Sequence, residues 1–281
     1  MSRHISLCQQ VTEKSAGSRL DQAAVELFPD FSRGRLQQWI KLGELTVDGK
    51  RAKPSSRVLG GEKLAIEAQL VAEGEVEPED IPLDIVFSDE HLLVLNKPAG
   101  LVVHPAAGNW EGTLQNALLN YDPDLDTLPR SGIVHRLDKD TSGVMVVARS
   151  LEAHASLVNQ LQTRSMSRVY EAVVKGDIPA SGTISANIDR NPRNRKKMAV
   201  RESGRTATSH YRLIQRLPGT SHVEVSLESG RTHQIRVHMT HLGYPIVGDP
   251  LYGRGQIRQK GLPAAAIDAV NGFARQALHA R

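Results

Sequence analysis

Apolar positions along the chain switch between two periods. Leu20, Ala23, Ala24 and Leu27 recur at the spacing of one helix face, with Ser18 as the expected N-cap, Asp21 three positions on, and Pro29-Asp30 as the break. Ser32 is placed to cap a second helix whose face is Leu36, Trp39 and Ile40 and whose stop is Gly43. The pattern then turns strand-like. Leu45 and Val47 alternate with polar residues, Asp48-Gly49 marks a tight hairpin, and Val58, Gly60-Gly61, Leu64 and Ile66 predict a further turn and strand. Downstream, apolar runs at Ile85–Phe87, Leu92–Leu95, Val144–Ala148, Tyr170–Val174 and Val223–Leu227 predict strands. Helical spacing appears only at Leu114–Leu118 and at Leu151–Leu161, the latter capped by Ser150. Many strands and few helices, not regularly alternating, predict an α+β fold.

Four stretches follow: an N-terminal segment 1–17, a helix–helix–strand unit 18–69, an acidic two-proline linker 70–84 that predicts mobility, and a larger domain 85–281. The net charge of +4 is mild, so its distribution matters more than its size. Arg19 to Arg57 holds eight Lys or Arg against five Asp or Glu, and Arg190 to Arg205 holds seven against one. Such runs are often just solvated faces. Two of them in one chain point to nucleic acid. Cys8 is the lone cysteine, so an internal disulfide is excluded. The opening residues lack the apolar core of a signal peptide, and no run approaches the ~20 apolar residues of a membrane span. A cytoplasmic, non-membrane monomer is expected.

Charged residues between apolar runs are the candidate chemistry. In "GIVHRLDKDTSG", Ile133-Val134 precede and Val144–Ala148 follow a loop with Arg136, Asp138, Lys139 and Asp140. A surface ion pair is the default for such an Asp, but a positioned carboxylate is also what nucleophilic attack at a sugar carbon requires. If the loop is extended, Asp138 and Asp140 share a face, which disfavours a two-carboxylate glycosidase. In "LNKPAGLVVHP" the prolines and Gly100 read as a fixed turn, and Lys97 and His104 stay open as ligand contacts. Tyr170, at a strand start, is either packing or a base-stacking ring with a free hydroxyl. His233, His238 and His241 lack the i, i+4 spacing of a zinc helix and any local carboxylate or thiolate, so no metal site is expected. Arg231 and Arg236 read as partners for a carboxylate or for phosphates.

"SRLDQAA…FSRGRLQQWIKLGELTVDGKRAKPSSRVLGGEKL" resembles an S4 RNA-binding domain, which implies RNA contact through Arg19, Arg33, Arg35, Lys41 and Lys53. "NKPAGLVVHP", "GIVHRLDKDTSGVMVVAR", "RVYEAVVKG" and "LESGRTHQIRVHMTHLGYPIVGDPLYG" resemble the RluA/RluD-type pseudouridine synthases of bacteria, closest to the RluD branch with its N-terminal S4 domain. That resemblance implies a mixed, largely antiparallel sheet flanked by helices, and conversion of uridine to pseudouridine without cofactor or metal. It assigns Asp138 as nucleophile. It assigns Arg136 as the residue that inserts where the target base flips out, and Tyr170 as the stacking residue that also helps remove a proton late. Arg231 becomes the partner that keeps Asp138 ionised, and Ile235 an apolar contact near the base. Arg236 and the run Arg193, Arg195, Lys196 and Lys197 would grip RNA. Arg168 stands where relatives often carry Lys. The chain stops at "RQALHAR", where relatives continue into a further strand and a terminal helix, so a truncated or differently built C-terminus is expected.

The implied substrate is large-subunit (23S) ribosomal RNA or a pre-ribosomal particle, at the hairpin facing the decoding centre. An RluC-like synthase for other sites in that RNA, a non-catalytic ribosome assembly factor and a nucleic-acid N-glycosidase are the alternatives.

Overall fold

The structure is a computed structural model that describes residues 3–29, 31, 33–70, 76–106, 110–253 and 263–281. The chain forms two compact units, Met1–Glu75 and Val76–Arg281.

The first unit is a three-stranded antiparallel sheet with two helices. Strands β1 (Arg3–Gln10), β2 (Leu45–Val47) and β3 (Lys63–Leu70) lie in the order β1-β3-β2, with α1 (Leu20–Leu27) and α2 (Arg33–Leu42) between β1 and β2 in sequence. The expected apolar faces form one core: Leu20, Ala23, Ala24, Leu36, Trp39 and Ile40 pack with Leu45, Leu64 and Ile66. Three local expectations change. Residues 1–17 are not a separate segment, because β1 pairs with β3 from Arg3↔Leu70 to Gln10↔Lys63. Ser18 does not cap α1; its hydroxyl donates to the Ser15 carbonyl at 2.6 Å. The first helical amides are instead taken by chain returning from the far side, Leu20 N donating to Ser56 O and Asp21 N to Pro54 O. The Ser32 cap lies outside the described residues. At the β2 hairpin, Asp48 (φ 47°) and Gly49 (φ 75°) are both left-handed, as the Asp-Gly pair predicts for a type I′ turn.

The second unit is built on one eight-stranded sheet. Its strands are β4 (Ile85–Ser88), β5 (Leu92–Lys97), β6 (Ser142–Ala148), β7 (Val169–Lys175), β8 (Gly182–Ser185), β11 (Thr208–Leu217), β12 (Thr220–Leu227) and β13 (Leu278–Ala280). A two-stranded hairpin, β9 (Ile188–Arg190) with β10 (Met198–Val200), extends from it. The spatial order is β4-β5-β6-β13-β7-β12-β11-β8. Every pairing is antiparallel except β6 with β13, so the sheet is mixed and largely antiparallel as expected. Helices α3 (Leu114–Tyr121), α4 (Leu151–Thr163), α5 (Gln234–His241) and α6 (Ala264–Asn271) complete it. Ser150 caps α4, its hydroxyl accepting from Ala153 N at 3.1 Å.

Two placements differ from the sequence reading. The acidic stretch is not all linker: Val76, Ile81 and Leu83 pack against the core around Leu95, Leu118 and Val147. The Glu79 carboxylate accepts from Gly112 N at 2.8 Å, and Asn116 Nδ2 donates to Glu77 O. The last residues are also not peripheral. β13 sits in the middle of the sheet, parallel to β6 at His279↔Ser142 and antiparallel to β7 at Ala280↔Tyr170. That insertion needs Gly143. Its φ is 122°, and a Cβ there would collide with the Ala280 carbonyl and amide. Gly143→Ala is therefore expected to destabilise the second unit by about 3 kcal/mol or more, through strain and loss of the β6–β13 pairing. Urea unfolding followed by circular dichroism checks this; a loss under 1 kcal/mol would contradict it.

Candidate active site

The charged loop between Ile133 and Ser142 is pinned at alternate residues. Ile133 bridges to Val147, and Ile133 and Leu137 are buried in the core. Between them, His135 Nε2 accepts from Val146 N at 3.1 Å. Burial, with Arg168 nearby, lowers the His135 imidazole to about 4, which keeps it neutral and able to accept. The far end closes as a turn, Thr141 N donating to Asp138 O, and Gln276 Nε2 holds Thr141 Oγ1 at 2.7 Å. Arg136 and Asp138 are left on the open side of this strap.

Lys97, left open as a ligand contact, is fully buried. Its ammonium donates to the carbonyls of Pro98 (2.7 Å), Leu101 (2.9 Å) and Lys139 (3.0 Å). Burial lowers it to about 8, opposed by the nearby Asp140 and Asp138. It is a clamp that ties the end of β5 to the charged loop, not a substrate contact.

Asp138 is one-fifth exposed and accepts a hydrogen bond on Oδ2 from Arg236 Nη1 at 2.8 Å. The other face of that guanidinium engages Asp249, with Nε to Oδ2 at 2.7 Å and Nη2 to Oδ1 at 3.0 Å. Arg236 and Asp249 are both buried. Burial works against each charge. The mutual ion pair outweighs it, raising the Arg236 guanidinium and lowering the Asp249 carboxyl. Asp249 is further fixed by amides of Leu251 and Tyr252. The expected partner, Arg231, does not meet Asp138. It sits in the turn before α5, and its Nε donates to Thr206 O at 3.2 Å. The helix explains the exchange: Arg236 lies on α5 and faces the loop, whereas Arg231 precedes the helix and lies along the edge near β11.

His233 is the left-handed residue (φ 57°) that opens α5. Its Nδ1 lies 2.8 Å from the Tyr252 hydroxyl, and that oxygen accepts from Met198 N at 2.7 Å. The phenol proton is thus free for Nδ1, which leaves Nε2–H facing Asp138 Oδ2 at 3.9 Å. His238 is engaged otherwise, with Nδ1 at Ser209 Oγ and Nε2 at the Ala186 carbonyl.

Asp138, Tyr170, Arg231, Ile235 and Arg236 all line one cavity of about 70 Å³, with Arg136 at its mouth. Tyr170 is on β7 against both halves of the core, and burial raises its phenol. Arg193, Arg195 and Lys196 are exposed in the loop of the β9–β10 hairpin, and the Lys197 ammonium lies 5.6 Å from the Tyr252 ring. In the first unit, Lys41 and Lys53 are exposed and Arg35 stacks on Trp39 at 5.8 Å. Arg19 is tied to buried Asp21 at 2.9 Å, and the Arg33 side chain lies outside the described residues. Sequence reasoning passed over Asp249 and Tyr252, although both sit in the quoted "GDPLYG". Two polar residues in a turn carry no periodic signal, and their partner is thirteen or more residues away.

The RNA pseudouridylate synthase profile matches residues 91–241, and the S4 domain profile matches 18–64. The chain is 55% identical to ribosomal large subunit pseudouridine synthase D of Pseudomonas aeruginosa, over 100% of this chain and 88% of that protein. It is 49% identical to the protein of the same name from Escherichia coli K12, over 100% and 86%. Among solved structures, human RNA pseudouridylate synthase domain containing 1 matches with a TM-score of 0.56 and 28% identity, over 75% of this chain and 79% of that one.

Arg236→Gln is expected to cost about 3–5 kcal/mol, since it leaves Asp249 buried without its cation, whereas Arg231→Gln costs about 1 kcal/mol or less. Chemical unfolding of the two variants reads the difference, and equal losses would contradict the assignment. For His135 the folded value lies below the unfolded one, so its contribution is complete above pH 6.5 and lost as pH falls towards 4. An imidazole NMR titration should place His135 near 4; a midpoint near 6.5 would remove it as the loop's anchor.

Proposed function

The chain belongs to the RNA pseudouridylate synthase family, and from that premise we propose that it isomerises uridine in large-subunit (23S) ribosomal RNA with Asp138 as nucleophile. It is an RNA pseudouridine synthase, an isomerase. The observation that carries the residue assignment is the Asp138–Arg236–Asp249 chain. It fixes a single partly exposed carboxylate at the wall of a cavity shared with Tyr170.

The reaction breaks the C1′–N1 bond, turns the uracil and forms C1′–C5, with the C5 hydrogen leaving as a proton. A base in a duplex or folded loop must leave its stack to reach the cavity, and exposed Arg136 is suited to fill the gap it leaves. Asp138 would then attack either the ribose C1′ or the uracil ring. Arg236 holds its oxygen in one direction, so no reorganisation of the carboxylate is needed at the moment of attack. Tyr170 and Ile235 give the base an aromatic and an aliphatic wall. Because burial keeps the phenol protonated, Tyr170 is better suited to stacking and hydrogen bonding than to acting as a resting base.

The large-subunit target is supported by the names of the relatives and by the presence of an S4 unit. Within that RNA, the resemblance to the RluD branch favours the hairpin facing the decoding centre. Among the described residues no helix is long and apolar enough to cross a membrane.

Large-subunit RNA carrying 5-tritiated uridine tests the reading, because forming pseudouridine must expel the label. Wild type is expected to release tritium, and Asp138→Asn to lose at least about a thousandfold in rate. Release of free uracil would indicate an N-glycosidase. Retained turnover by Asp138→Asn would remove it as nucleophile. RNA binding with no release by wild type would favour an assembly factor.

A further inference from the structure

A second cavity of about 660 Å³ adjoins the catalytic one, with Arg136, Tyr170 and Gly230 as common walls. Beyond those shared residues, the isomerisation chemistry makes no use of its walls. Arg130, Arg136 and Arg168 border it, and no Asp or Glu is among its lining residues. Arg168 Nε is buried and has no hydrogen-bond partner among the described residues. A guanidinium whose enclosed Nε meets no protein acceptor leaves its outer nitrogens as the groups that a ligand oxygen can reach. Gly230, with no side chain, leaves room for the Arg168 guanidinium to lie against it.

The segment that brings Arg130 into the lining is equally specific. Arg130, Ser131 and Gly132 are successive left-handed residues, at φ 54°, 52° and 77°. A side chain at Gly132 would strike the Ala148 carbonyl, so the turn is forced by close backbone approach. It carries Arg130 to the cavity rim and lets Ser131 Oγ accept from Gln115 Nε2 at 3.2 Å. Gln115 Oε1 in turn faces His104 Nδ1 at 3.3 Å. The cavity lining thus combines guanidinium groups with a neutral amide–imidazole edge.

We propose that this cavity is a second nucleotide subsite, which takes a nucleotide adjoining the target uridine, its phosphate on Arg168 and Arg130 and its base edge on Gln115 and His104. The proposal rests on the synthase reading above. Guanidinium groups are the side chains best matched to phosphate oxygens. Single-stranded RNA is recognised through splayed bases on polar edges and flat side chains. The volume is in the range of small-molecule sites, and the shared wall puts the two cavities next to each other, as one continuous strand requires.

Gln115→Glu is the sharpest test. It keeps the shape, and with the Ser131 hydroxyl donating it keeps both contacts, but it places a carboxylate where none now lies. With the tritiated large-subunit RNA, KM is expected to rise about tenfold, with the loss falling on KM rather than kcat. Arg130→Gln, at an exposed position, serves if Gln115→Glu melts early. It should raise KM and make the dependence of log KM on log salt shallower by about 0.7, one single-strand phosphate contact. If wild type turns over normally and neither variant moves KM by more than twofold, the subsite is refuted. If wild type does not turn over, the synthase reading fails separately. The affinity of Asp138→Asn for the same RNA, with and without Gln115→Glu, then decides the subsite: a tenfold weakening supports it and equal affinity refutes it.

Discussion

Everything at the catalytic end of this chain depends on one buried cation. Arg236 has two carboxylates to satisfy and almost no water to help it. Asp249, fully enclosed, takes two of its donors and sets its orientation; Asp138, one-fifth exposed, takes the third. A buried ion pair is a poor source of net stability, because desolvating the charges offsets most of their attraction. What it supplies here is direction. With Asp249 anchored by two backbone amides, the guanidinium has one orientation, so the Asp138 carboxylate has one as well. The clamp on Asp138 is therefore made of α5 and the turn after it, elements more than ninety residues away in sequence.

The same logic explains the other supports of the charged loop. A segment with Arg136, Asp138, Lys139 and Asp140 in succession would not stay extended on its own. It is held because neighbouring elements bond its backbone and its alternate side chains while leaving the functional ones free. Buried Lys97 takes the Lys139 carbonyl, Val146 donates to His135, and Gln276 takes Thr141. The last of these comes from the segment leading into β13. A three-residue strand in the centre of an eight-stranded sheet cannot contribute much by its own length. Its leverage comes from closing the gap between β6 and β7, the two strands whose starts carry Ser142 and Tyr170.

Much of this was legible in the sequence because it is periodic or local. The helix faces at Leu20–Leu27 and Leu36–Ile40, the Ser150 cap and the Asp48-Gly49 turn each depend on residues within a few positions of one another. The α+β class followed from many short apolar runs with few helices, and the mixed, largely antiparallel sheet from the family resemblance. The errors share the opposite property. Ser18 looked like a cap, but its helix amides are claimed by Pro54 and Ser56, which no local pattern reveals. Arg231 looked like the partner of Asp138, yet only the helical phase of α5 distinguishes it from Arg236, and that phase begins at a left-handed His233 that apolar periodicity does not signal. Residues 278–280 gave no strand signal, since a strand of three buried between partners needs no length or alternation of its own.

His233 shows how far such long-range dependence extends. Its ring is oriented by Tyr252, whose hydroxyl also receives the amide of Met198 at the start of β10, and whose ring lies under both Arg236 and Lys197. One phenol thus joins the base of a strongly basic hairpin to the imidazole facing the Asp138 carboxylate. Displacing the hairpin would remove the Met198 amide from the phenol oxygen and so loosen the group that orients His233. The basic run and the catalytic loop lie far apart in sequence. In the folded unit Met198, Tyr252 and His233 connect them, with a 3.9 Å approach to Asp138 as the last step, so the hairpin and the Asp138 carboxylate share one support.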